Sequence, residues 1–184
     1  MFFPFILTKK MKITLFGNTC QAEKSQYVHQ VIGKLSQHGA TITIEPSFRA
    51  YLDTIGFPIA SFESDKELQG VDLAVSIGGD GTFLSTAAHV GGKNIPILGV
   101  NTGRLGFLAD ISPEYIDQAI DALFRKDYAI ESRSIIEATN DERPFNHYPF
   151  ALNEVAVLKH DNSSLIDIRT EIDGELLTHY IADG

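Results

Sequence analysis

A single cysteine, Cys20, stands in the 184 residues. That excludes an intrachain disulfide and fits a reducing compartment, so a cytoplasmic location is expected. Basic charge is also scarce. Fifteen Lys/Arg against 24 Asp/Glu give a net charge of −9, which argues against broad nucleic-acid binding by phosphate neutralisation. The six histidines show neither HxxxH spacing nor clustering with cysteine, so no metal site built from the chain's own residues is expected. No apolar run is long enough to span a bilayer, and no membrane partner is expected. The opening "MFFPFILTKK" is short, its basic pair follows the apolar run, and no small-residue cleavage site appears. Met11-Lys12 begins a credible strand, so residues 1–10 read as a disordered leader. Internal repeats and low-complexity segments are absent as well.

What is present is ordinary for a globular protein: 43% hydrophobic and 21% charged residues. The length suits one large domain, or one domain and part of a second. Charge is uneven. Residues 1–60 hold six Lys/Arg and three Asp/Glu, net +3, and residues 61–184 hold nine and twenty-one, net −12. Apolar strands are expected at "KITLF" (12–16), "ATITIE" (40–45), "LAVSI" (73–77) and "PILGV" (96–100). Between them Val28, Val31, Ile32 and Leu35 recur at helical spacing, as do Phe48, Tyr51, Leu52 and Ile55. Gly39 stands where a helix C-cap belongs, and Ser64 with Glu67 has capping-box spacing. A helix should begin near Thr82, and Ser112-Pro113 should begin another, with Ile116, Ala119, Ile120 and Leu123 inward.

This alternation predicts an α/β domain over residues 11–125, a parallel sheet covered on both faces. From 126 the pattern changes. Segments 129–139, 150–158, 165–172 and 175–182 read as consecutive antiparallel strands, with Asp173-Gly174 as a two-residue hairpin turn. Residues 126–184 therefore read as an incomplete antiparallel β domain.

The stretch "SIGGDGTFL" (76–84) carries the chemistry. It lies at the carboxyl end of an apolar strand and before a helix, where open α/β sheets bind ligands. Gly78, Gly79 and Gly81 permit close backbone approach and positive φ, and free N–H groups with the helix dipole favour an anion. Neither the dinucleotide fingerprint nor the P-loop spacing is met, since no lysine follows the glycines. Asp80 in the middle of such a cradle needs a reason. It can face a magnesium ion that carries phosphates, or a hydroxyl whose proton it accepts. Either points to phosphoryl transfer to an alcohol. The plain alternative is that Asp80-Gly81 only makes a turn.

"GGDGT" resembles the motif of a kinase superfamily that includes NAD kinases, lipid kinases and, more distantly, 6-phosphofructokinases. Three further stretches resemble the NAD kinase family in order and spacing: "GVNTGRLGFLAD" (99–110), "ALNEVAV" (151–157) and "YIADG" (180–184). The resemblance implies transfer of a phosphoryl group from ATP to the 2′-hydroxyl of the adenosine ribose of NAD, with a divalent metal such as magnesium. It implies Asp80 as the general base. It also implies a dinucleotide site drawing on Gly79, Asp80, Gly81, Thr82, Phe107, Asn153, Glu154 and Asp183. Phe107 would line the adenine pocket, Asn153 would meet the adenine edge, Glu154 the ribose hydroxyls and Asp183 the nicotinamide end. A homo-oligomer is implied too. The family continues past Gly184, so the chain is expected to be a truncated member, inactive by itself.

On the residues alone, several readings stay open. Asn153-Glu154 suits an adenine edge and vicinal hydroxyls, or an exposed strand edge or loop. Both can contact one ligand only if the strand is irregular there, because adjacent strand residues face opposite ways. "NTGRLGF" is a second ligand loop, or a connection whose Leu105 and Phe107 plug the core. Arg104 pairs with phosphate or with water. His160 reads as solvent-exposed, His89 as a helix-end residue, and Tyr27, Tyr51 and Tyr115 as helix-packing residues. A kinase of a lipid or sugar alcohol, or a non-catalytic dinucleotide-binding protein, would use the same loop.

Overall fold

Strands that are apolar along their whole length need cover on both faces. The computed structural model describes residues 10–17, 25–103, 106–141, 148–158 and 165–182. In it five parallel strands form one sheet: β1 (Lys12–Gly17), β2 (Thr41–Ile44), β3 (Glu63–Ser64), β4 (Leu73–Gly78) and β5 (Ile97–Asn101), in the order β3-β2-β1-β4-β5. Helix α1 (Ser25–Gln37) joins β1 to β2, α2 (Pro46–Thr54) joins β2 to β3, and α3 (Asp80–Val90) joins β4 to β5. After β5 come a 3-10 turn at Pro113–Tyr115 and α4 (Ile116–Arg125). The parallel α/β expectation is met.

Side-chain alternation divides the core between the two faces of the sheet. Ile13, Leu15, Val75 and Ile77 join Val31, Leu35, Ile116 and Ile120 in one buried cluster. Phe16 and Ala74 belong to a second cluster with Leu68 and Val90. Each fully buried aliphatic side chain contributes about 1.5–3 kcal/mol relative to exposure. Helices α1 and α4 are tied at the surface by Asp121, which meets Lys34 Nζ at 2.8 Å and His38 Nε2 at 2.7 Å. On the other face the Thr14 and Thr43 hydroxyls share a hydrogen bond of 2.8 Å, which satisfies two buried polar groups in neighbouring strands.

Local signals set most boundaries. The Glu45 carboxylate accepts the Phe48 N–H at 2.8 Å, with Pro46 opening α2. Gly39, at φ 73°, closes α1 as its position suggested, and its N–H reaches the Ser36 carbonyl at 2.9 Å. Two expectations shift. Helix α3 starts at Asp80 rather than near Thr82. The Ser64/Glu67 spacing starts no helix; Asp65 instead accepts the Leu68 N–H at 2.8 Å and shapes a turn. Tyr27 and Tyr51 pack on the core as expected, whereas Tyr115 is exposed.

Strand order reverses between β1 and β4. Helices leaving two adjacent parallel strands there diverge and leave a crevice at their carboxyl ends. Gly17 ends β1 at this point. A Cβ on it would fall 2.1 Å from the Phe48 ring, so glycine is what lets α2 close on the sheet.

The expected strands after residue 126 are shorter where their partners are few. β6 (Ile136–Glu137) and β7 (Phe150–Ala151) pair antiparallel over two residues each, far less than 129–139 and 150–158. β8 (Ile166–Ile172) and β9 (Glu175–Ala182) make a hairpin, as expected, with a bulge at Thr170/Glu171. Asp173 (φ 53°) and Gly174 (φ 85°) supply the two positive φ values of its tight turn. The backbone forms two compact units, Met1–Leu152 and Asn153–Gly184. No described helix is long and apolar enough to cross a membrane.

Candidate active site

The glycine-aspartate loop is built by the end of β4 and the start of α3. Gly78 is the last strand residue, and a Cβ there would fall 2.2 Å from Thr82 Oγ1, so the threonine lies over it. Gly79 is the extended N-cap, and no side chain caps the helix. None of Gly78, Gly79 and Gly81 takes a positive φ. Close approach, not left-handed backbone, is what the motif uses. An uncapped helix start leaves donors for an anion.

Asp80 is the first residue of α3, a favoured place for negative charge. Its carboxylate does not hang free. Oδ2 accepts the Phe107 N–H at 2.8 Å, and Oδ1 accepts the N–H groups of Leu108 at 3.1 Å and Ala109 at 3.3 Å. These bonds, the one from Phe107 foremost, hold the Asp80 carboxyl below the usual carboxylate range despite some loss of hydration. The carboxylate thus sits in an anion cradle made by the second glycine loop. That answers how a negative side chain is tolerated here.

The second loop reaches Asp80 because the chain doubles back after β5. Ile111 bridges Val100 in parallel, with the Asn101 N–H on the Ile111 carbonyl at 2.7 Å and the Ile111 N–H on the Gly99 carbonyl at 3.2 Å. Asn101 Oδ1 accepts the Gly103 N–H at 2.8 Å and starts the turn. The Thr102 N–H bonds the Gly78 carbonyl at 3.1 Å and fastens one loop to the other.

Phe107 is 92% exposed, so it does not plug the core. Its backbone N–H meets the Asp80 carboxylate, and its solvent-exposed ring is available to stack on a flat ligand. Gly79, Asp80, Gly81, Thr82 and Phe107 are therefore gathered at one edge of the first unit. Asn153 and Glu154 belong to the second unit, in an exposed segment outside any strand. The backbone irregularity needed for both to serve one ligand is present there. Arg104, Leu105, His160 and Asp183 lie outside the described residues. Among the described residues no group of three or more His, Cys, Asp or Glu could hold a metal ion.

His89 lies in the last turn of α3, as expected of a helix-end residue. It is buried, packs edge-on against Phe16 with centroids 5.1 Å apart, and stacks on Tyr148 at 4.0 Å. Its Nε2 lies 2.9 Å from both the Lys66 carbonyl and the Tyr148 hydroxyl. Burial and the nearby Glu45 and Glu67 push the Tyr148 hydroxyl above its ordinary range. Sequence reasoning also missed Gly106 and the 107–109 amides. A second glycine in the loop was the available signal, but nothing local ties it to Asp80, 26 positions earlier.

The site is thus a glycine-bounded carboxylate at the reversal of a parallel sheet in an α/β domain. The profile of the ATP-NAD kinase N-terminal domain matches residues 13–128, and the chain belongs to the NAD kinase family. It is 45% identical over 176 residues to an NAD kinase of Bacteroides fragilis, covering 95% of this chain and 61% of that one. It is 38% identical over 178 residues to an NAD kinase of Cytophaga hutchinsonii, with the same coverages of 95% and 61%. The chain thus spans about three-fifths of the length of these curated relatives. Among solved structures it resembles yeast NADH kinase complexed with NADH, with a TM-score of 0.75 and 18% identity. That match covers 95% of this chain and 56% of the yeast chain, and it supports the fold.

Proposed function

We propose that the protein carrying this chain phosphorylates NAD on the 2′-hydroxyl of its adenosine ribose, with ATP as donor, giving NADP and ADP. The observation that carries the reading is Asp80. It is the one carboxylate of the glycine motif, it stands at the carboxyl edge of β4, and it is fixed by Phe107, Leu108 and Ala109 with lone-pair capacity left on Oδ2. In the reaction the ribose oxygen forms a bond to the γ-phosphorus while the bond from that phosphorus to the β,γ-bridging oxygen breaks. The hydroxyl proton passes to Asp80 and then to water.

A carboxylate held below its usual range is a weak base, and this chemistry tolerates one. In a loose phosphoryl-transfer transition state little negative charge gathers on the attacking oxygen before the donor bond has opened. What matters then is a charged acceptor held still, which the three amides provide. The uncapped N-terminus of α3, with Gly79 and Gly81, would receive donor phosphate. A divalent cation held on the donor's phosphates would neutralise charge as the leaving group departs. Phe107 would stack on adenine, Asn153 would hydrogen-bond its edge, Glu154 would bond the ribose hydroxyls and Asp183 would serve the nicotinamide end. Residues 126–184 would then be the first part of a β-rich dinucleotide-binding domain. A cytoplasmic homo-oligomer completes the reading.

The test is a coupled assay on the full-length protein. ATP, magnesium and NAD should give NADP. Asp80→Asn should lower turnover by about 10²–10⁴-fold, the range for loss of a general base, while NAD binding by calorimetry persists. Retained turnover in that variant defeats the base assignment. Phosphorylation of a lipid or sugar alcohol instead of NAD defeats the substrate assignment, and NAD binding without turnover in the wild type defeats the kinase reading.

A further inference from the structure

The Asp80 carboxylate lies directly over Gly106. A Cβ built on Gly106 would fall 2.2 Å from Oδ1 and 2.5 Å from both Cγ and Oδ2. The obstacle is a short side chain whose far end is already held by three N–H groups, so it cannot yield without giving them up. Gly106 has no positive φ. Space, not conformational freedom, demands glycine here. Gly92 differs on this point, since nothing lies within 4 Å of its virtual Cβ.

We propose that Gly106 is a positioning residue for Asp80, and that its missing side chain lets the carboxylate reach the amides of Phe107, Leu108 and Ala109. Those amides lock the Asp80 rotamer and leave the outward lone pair of Oδ2 as the place for an incoming hydroxyl. The consequence for turnover rests on the kinase reading above; the contact does not.

The test combines amide NMR with kinetics on the full-length protein. In the wild type the amide protons of Phe107, Leu108 and Ala109 should titrate together, with a midpoint below the ordinary 3.8 of an aspartate. Gly106→Ala should abolish that shared titration and expose the three amides to hydrogen exchange. Turnover should fall on the order of 10²-fold, the effect of an ångström-scale misplacement, with KM for NAD little changed. Gly92→Ala should match the wild type in every readout. Unchanged amide titration in Gly106→Ala overturns the proposal, and so does a fall confined to KM. If Gly106→Ala does not fold, Asp80→Ala in the native background must abolish the same titration; persistence overturns the proposal. Absence of NADP formation in the wild type would strike the kinase reading alone, and the amide titration would still decide the contact.

Discussion

β4 and β9 are both rich in apolar residues, and their side chains meet opposite fates. All six residues of β4 are buried, between β1 and β5 and under helices on both faces. In β9, Leu176, Leu177, Tyr180 and Ile181 are each more than half exposed, and β8 is its one strand partner among the described residues. The two strands form for different reasons. β9 needs only the Asp173-Gly174 turn to bring β8 alongside, a local event. β4 needs β1 from 60 residues earlier and β5 from 23 residues later, so it forms only when the core does. Apolar sequence alone therefore does not report burial. It reports burial where helices and further strands supply the second partner, and a lone two-stranded hairpin is marginal in water.

The sharpest way to break this comparison is a pair of truncations. Ile13→Ala, at a fully buried site, should destabilise the first unit by about 2–5 kcal/mol. Leu177→Ala, 60% exposed, should change stability by less than about 0.5 kcal/mol. Denaturant unfolding with probes in each unit checks both, and equal costs would erase the distinction.

A smaller effect concerns the anchor of β7. Tyr148→Phe removes the hydroxyl bonded to His89 and should cost about 1 kcal/mol, read as a lower melting temperature and faster amide exchange at Phe150. Gly91 gives room for the Phe150 ring, which approaches its virtual Cβ at 2.5 Å, so packing should keep β7 in place.

The smallest effect is in acid. Lys34 and then His38 hold the Asp121 carboxyl below its ordinary 3.8. The unfolded chain takes up that proton first, so the stabilisation is whole above 3.8 and is lost as pH falls through the lower folded value. Asp80 follows the same sign. Asp121→Asn should flatten the acid limb of the first unit's stability curve and leave the hairpin's amide spectrum unchanged. An unaltered limb would show that the α1–α4 tie carries no stability.

Legibility in the sequence followed the range of the forces. Helix α2 was readable because Phe48, Tyr51, Leu52 and Ile55 keep helical spacing, although its start at Glu45-Pro46 was not read. The hairpin was readable because Asp173-Gly174 fixes its geometry in two residues. β6 and β7 were overread, since apolar residues at 129–139 and 150–158 say nothing about how many neighbours pair with them. His89 was readable as a helix-end residue, but its buried contacts were not, because Lys66 and Tyr148 lie 23 and 59 positions away. Phe107 could be a plug or a platform until the return of the chain to Val100 turned it outward.

The sequence by itself determined the alternation of buried strands and helices, the turns, and the presence of a carboxylate in a glycine loop at a strand's carboxyl end. These follow from side-chain periodicity and local backbone sterics. Only the tertiary structure decided what holds that carboxylate: three amides from a loop 27 to 29 residues away. No local rule could supply that pairing, because it depends on where β5 sets the chain down and on the space left above one glycine.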